Sequence, residues 1–187
     1  MDKVVIGIVV KYRDEDKSKN RVDSRIRNEV KQAIFDNGAI AIGIIPPNEE
    51  IQNVDDNCLK YDNLIDKENI ISQINLCDGV ILQGGNASEA FEPFVAKYCY
   101  DNNIPCLGIC AGQNNIVRAL GGTIYKISNP EKHNQPGKDY VHSIKIDKSS
   151  KFYNIVKKEE ILVNSRHKRT IAECPSLDKV GFVKMDM

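Results

Sequence analysis

Short apolar runs alternate along the chain with stretches whose apolar residues recur every three or four positions. "VVIGIVV", residues 4–10, has no polar residue at alternate positions and reads as a strand buried on both faces. Ile26, Val30, Ala33 and Ile34 follow at helical spacing, and Asn37-Gly38 supplies a stop. "AIAIGII", 39–45, predicts a second buried strand closed by Pro46-Pro47. A short helix over 67–75 leads to a third strand over 79–83 that ends at Gly84-Gly85. Phe91, Phe94, Val95 and Tyr98 mark the next helix face, and Pro93 is tolerable there because it falls in the first turn. A fourth buried strand over 105–109 precedes a helix over 111–120 that stops at Gly121-Gly122.

Strands and helices in alternation predict an α/β fold, an open and mostly parallel sheet with helices on both faces. Beyond Thr123 the chain becomes richer in strands: "TIYKI", "YVHSIKI", "EILVN" and "KVGFVKM", with one short helix near 149–156. Residues 48–69 lack clean periodicity and receive no element. The mixed charges over 11–31 read as an exposed loop and an outer helix face. With 187 residues, the whole chain, 1–187, is expected to form a single domain.

Composition narrows the function classes. Lysine plus arginine equals aspartate plus glutamate at 26 each, so no global field draws the chain to nucleic acid or anionic lipid. The seven basic residues against two glutamates over 148–169 come without a nucleic-acid motif, and a solvated surface explains them. The first ten residues lack a signal-peptide pattern and no run approaches a membrane span, so a cytoplasmic protein is expected. Six cysteines, at 58, 77, 99, 106, 110 and 174, form neither paired motifs nor a regular framework. Cys77, Cys99 and Cys106 lie in apolar segments and read as small core residues. Cys106 and Cys110 with distant histidines lack zinc spacing, so no metal is expected.

Cys110 is different. It stands in "GICAG", residues 108–112, on the bend between the fourth strand and its helix, the thiol counterpart of the serine elbow of hydrolases. Flanking glycines let strand and helix approach closely, and the helix amino terminus favours negative charge on the sulfur. The amide of Ala111 is placed to donate to a developing oxyanion, and Gly85, at the neighbouring strand end, is the second candidate donor. A plain tight turn with a buried thiol is the structural alternative.

"VILQGG" followed by "FEPF" and "NIPCLGICAGQNNIVRALGGT" resembles the class I glutamine amidotransferase-like superfamily, and within it the gamma-glutamyl-gamma-aminobutyrate hydrolase family of cysteine peptidases. "VNSRH", 163–167, resembles that family's Val-Asn-Ser-x-His stretch near the substrate pocket. The resemblance implies a flavodoxin-like fold of the class I glutamine amidotransferase type. It also implies Cys110 as the nucleophile of a gamma-glutamyl thioester, an oxyanion hole at Gly85 and Ala111, and no cofactor. Substrate-pocket positions carried over are Gly84, Gln113, Asn114, Asn164, Ser165 and His167. The superfamily's usual glutamine four residues after the nucleophile is Asn114 here, with Gln113 before it.

Nothing in the chain matches the family's carboxyl-terminal His-Pro-Glu segment, so the domain is expected to be truncated there. Of the three histidines, His142 reads as packing, His133 as loop surface, and His167 as a pocket residue or stand-in base. The expected partner is a small gamma-glutamyl substrate, with no nucleic acid or membrane, and a homo-oligomer left open. Two other readings stay open: a glutaminase subunit that passes ammonia to a synthetase, and a glutamyl-ligand binding protein impaired by the missing histidine.

Overall fold

The computed structural model describes residues 2–16, 21–46, 64–85 and 91–182. Much of the 48–69 stretch, with Cys58, lies outside them, as do the last residues of "KVGFVKM". The chain divides into two compact units, residues 1–120 and 121–187.

In the first unit the elements are β1 (Val5–Val9), β2 (Lys11–Asp16), β3 (Arg21–Arg25), α1 (Asn28–Asp36), β4 (Ile40–Ile44), α2 (Leu64–Ile74), β5 (Gly79–Leu82), α3 (Phe91–Asp101), β6 (Cys106–Gly108) and α4 (Ala111–Ala119). A four-stranded sheet runs in the order β4-β1-β5-β6, parallel throughout, and helices flank it. Parallel neighbours need a crossover between them, which is why strand and helix alternate along this half. The α/β expectation holds. Val9, Ile44, Ile70, Ile74, Val80, Leu82, Phe91, Val95, Ala96 and Cys99 form the buried core. Cys77 and Cys106 are partly buried against it, as core thiols would be. A hydrogen bond with Cys99, together with burial, pushes the Cys106 thiol well above its ordinary range.

Two expectations need correction. β4 and β6 are the outer strands of this sheet, so their apolar runs are not covered on both faces: Ile40, Ile45, Leu107 and Ile109 are all exposed. An uninterrupted apolar run reports hydrophobicity but not position within the sheet. The charged 11–31 stretch is also not simply loop and helix. β2 and β3 pair antiparallel, with Arg13 in register with Asp23, a hairpin that an apolar-run criterion misses.

The second unit contains β7 (Thr123–Lys126), β8 (His142–Ile146), α5 (Lys151–Val156), β9 (Glu160–Val163), β10 (Arg169–Glu173) and β11 (Gly181–Phe182). β8 lies between β9 and β11, and β7 pairs with β10, all antiparallel. α5 starts where the Ser150 hydroxyl accepts from the amide of Tyr153 at 3.0 Å, a side-chain N-cap. In this unit the apolar pattern omits β10, because "RTIAE" offers only Ile171 and Ala172 between polar residues. No helix among the described residues is long and apolar enough to cross a membrane.

Candidate active site

β6 ends at Gly108 and α4 begins at Ala111, and Cys110 is the residue that caps the helix. Its backbone lies at φ 53°, ψ −108°, in positive-φ space that residues with a Cβ seldom enter. Such a conformation costs about 1–3 kcal/mol and survives only where the surroundings over-determine it. Here they do. The Ile109 amide donates to the Leu82 carbonyl at 2.9 Å, the Gly112 amide to the Ile109 carbonyl at 3.0 Å, and the Asn114 amide to the Cys110 carbonyl at 3.2 Å. Gly112 rests so closely on β5 that a Cβ there would lie 2.0 Å from the Leu82 carbonyl oxygen, and one on Gly108 would lie 2.5 Å from the Gln113 nitrogen. The glycines on either side of the cysteine are therefore a steric requirement of the bend. Cys110 itself is exposed.

Leu82 is in register with Gly108, so the segment leaving β5 runs beside the bend. Gly84 is buried there, and a Cβ on it would stand 3.1 Å from the Cys110 Cβ and 3.2 Å from the Ile109 carbonyl oxygen. Main chain thus lies directly against the nucleophile candidate. Gln83 fixes that main chain although no motif pointed to it. It is fully buried; its Nε2 donates to the carbonyls of Val9 and Arg25, both at 2.8 Å, and its Oε1 accepts from the Arg27 amide at 2.9 Å. The Arg27 Nε donates to the Gly84 carbonyl at 3.1 Å. Ala111 opens α4, so its amide is among those for which a helix has no internal acceptor. Gln113 is exposed and Asn114 half-buried on the first turns of α4.

Below the bend lies a second arrangement that the sequence reading missed. Glu92 is completely buried on α3; the Lys11 Nζ stands 2.5 Å from its Oε1, and the Asn115 Nδ2 donates to its Oε2. Arg118 Nη1 donates in turn to Asn115 Oδ1 at 2.9 Å. The only available signal was a glutamate between two phenylalanines in "FEPF". A buried carboxylate with a cation and an amide beside it ties the start of β2, α3 and α4 together. Glu92→Ala removes the carboxylate from beside the Lys11 ammonium, whose side chain is only 11% exposed. Breaking one partner of a buried pair costs about 3–5 kcal/mol. Chemical denaturation should therefore show a loss of about 3 kcal/mol, whereas a cost below 1 kcal/mol would mean the pair does not anchor α4.

Asn164, Ser165 and His167, carried over as pocket residues, belong to the second unit. Asn164 is exposed, Ser165 is buried, and its carbonyl accepts from the Gln135 amide at 3.0 Å. His167 Nδ1 lies 2.9 Å from the Arg169 carbonyl oxygen. His133, His142 and His167 form one cluster, with ring centroids 5.3–6.5 Å apart. His133 is half-buried in this cluster, which corrects its reading as loop surface. His142 sits on a strand as expected. Burial first, then the nearby His167 and Lys132, lower the His133 pKa against an opposing pull from Glu131. Burial, then His133 and His167, lower that of His142. Both imidazoles are thereby favoured in the neutral form. Spacings of nine and twenty-five residues gave no motif; pairing of the surrounding segments creates the group.

Similar proteins point in one direction. A probable glutamine-hydrolysing GMP synthase of Leptospira interrogans is 30% identical over 127 residues, 66% of this chain and 20% of that protein. A CTP synthase of Chlamydia muridarum is 41% identical over 54 residues, 28% of this chain and 10% of the synthase. The matches therefore span only a small part of these relatives' length. Among solved structures, a glutamine amidotransferase from Thermotoga maritima superposes with a TM-score of 0.59 at 14% identity, covering 97% of this chain and 67% of that one, a likeness of fold. The profile of the Peptidase C26 family matches residues 4–184, and the chain belongs to that family.

Proposed function

We propose that the chain hydrolyses gamma-glutamyl amide bonds through a thioester on Cys110. The observation that carries this reading is the exposed Cys110, held at φ 53° on the amino terminus of α4 with the main chain of Gly84 packed against it. Membership of a peptidase family supports amide-bond hydrolysis as the class of chemistry. The Cys110 sulfur attacks the gamma-carbonyl carbon, and the negative oxygen that forms accepts from the amides of Gly85 and Ala111. The carbon–nitrogen bond then breaks, the amine leaves with a proton, and water cleaves the thioester to release glutamate and restore the thiol. Neither step calls for a metal or an organic cofactor.

A second reading is a glutaminase unit that delivers ammonia to a synthetase, supported by the relatives described as GMP and CTP synthases. The two differ in the leaving amine and in the need for a partner. Glutamate release should be measured for the purified chain against glutamine and a panel of gamma-glutamyl amines, with and without a co-purified synthetase. Turnover of at least one gamma-glutamyl amine by the chain alone is the expected result. Hydrolysis confined to glutamine and dependent on the partner would overturn the first reading in favour of the second.

A further inference from the structure

The chain has three histidines in all, and they converge on one place in the second unit. We propose that His133, His142 and His167 bind a divalent transition-metal ion of the zinc class, with solvent or a small ligand completing its coordination. One ring nitrogen from each residue lies within 4.8 Å of the other two. Three imidazole nitrogens around a tetrahedral zinc ion stand roughly 3.3 Å apart, given bonds of about 2.0–2.1 Å. The remaining closure is small because the backbone has already gathered the segments. Asn134 bridges Arg166, the Gln135 amide donates to the Ser165 carbonyl at 3.0 Å, and the Val141 amide donates to the Val163 carbonyl at 2.8 Å. His142 is in register with Val163.

Two of the rings are prepared for a ligand in ways that packing alone does not require. A carbonyl oxygen can only accept, so His167 Nδ1 beside the Arg169 carbonyl must carry the proton, which leaves the lone pair on Nε2. A fixed tautomer and ring direction of this kind is what outer-sphere hydrogen bonds give to metal-binding histidines. His133 Nδ1 is buried with no hydrogen-bond partner among the described residues. A buried nitrogen left in that state is costly, and a metal ion would satisfy it. The rings are only half-buried, so solvent can reach the group. An all-imidazole set suits zinc, copper or nickel and not magnesium or calcium, which take oxygen ligands. Three protein ligands leave a coordination position open.

The test is titration of the reduced, chelator-stripped full chain with zinc by calorimetry and with cobalt by visible absorption. The expected result is one equivalent bound at micromolar affinity or tighter, with ligand-field bands of low-symmetry cobalt and no thiolate charge-transfer band. His133→Ala, His142→Ala and His167→Ala should each weaken binding about tenfold or more, while Cys110→Ala and Cys174→Ala leave it unchanged. Zinc should also raise the melting temperature of the unmodified chain, a readout that does not depend on any variant folding. Absence of stoichiometric binding to the unmodified chain, a thiolate band, or affinity indifferent to all three histidine substitutions would overturn the proposal.

Discussion

Cys110→Ala will release glutamate from gamma-glutamyl amides at about a thousandth of the wild-type rate or less, yet will unfold at nearly the same denaturant concentration. The two halves of this expectation have separate causes. Loss of the sulfur removes the thioester route, and the backbone donors that remain supply only residual catalysis. Cys110 is exposed, and alanine meets the same backbone penalty at φ 53° that cysteine does, so stability should change by no more than about 0.5 kcal/mol. Cys110→Gly sharpens the point. Glycine relieves the strain, so that variant should be inactive and more stable by about 1 kcal/mol, the signature of a conformation kept for chemistry. An equally stable or less stable glycine variant would mean the bend is not strained.

Gly112→Ala should have the second largest effect, on folding as well as activity. The added methyl would sit 2.0 Å from the Leu82 carbonyl oxygen and 2.6 Å from its carbon, which are backbone atoms that no side-chain rotation can move aside. α4 would have to lift away from β5, carrying Cys110 with it. Overpacking of this kind costs about 3 kcal/mol or more when backbone must shift, and the folded fraction should have lost most of its activity. Gly121→Ala is the matched comparison. Gly121 has φ +75°, but nothing lies within 4 Å of a Cβ placed there, so only the conformational cost of about 1 kcal/mol is expected. Equal effects at the two positions would show that the close approach of α4 to β5 is unimportant.

The first unit was largely legible because its order of elements is written in local periodicity. Asn37-Gly38 stops α1, and the glycine is at φ +76° as a helix-terminating residue should be. "GICAG" announced a bend because two glycines around a polar residue after an apolar run have few other uses. Position within a sheet was not legible. Leu107 and Ile109 look the same in sequence whether covered or exposed, since nothing local says that β6 is an outer strand. The polar anchors were hidden for a related reason. Gln83 and Glu92 acquire meaning only when residues 74 and 23 positions away approach them, as Val9 does at Gln83 and Asn115 at Glu92. The histidine cluster likewise depends on antiparallel pairing of β8 with β9 and on the Asn134–Arg166 bridge. Long-range contacts leave no periodic trace.

The nucleophile assignment is tested most directly by catching the covalent intermediate. The protein should be mixed with a gamma-glutamyl amide, quenched in acid at successive times, weighed intact and mapped by peptide. The prediction is a transient gain of one glutamyl group on the peptide that carries Cys110, absent from Cys110→Ala. Steady glutamate release at the wild-type rate by Cys110→Ala, or a glutamyl group mapped to any other residue, would contradict it.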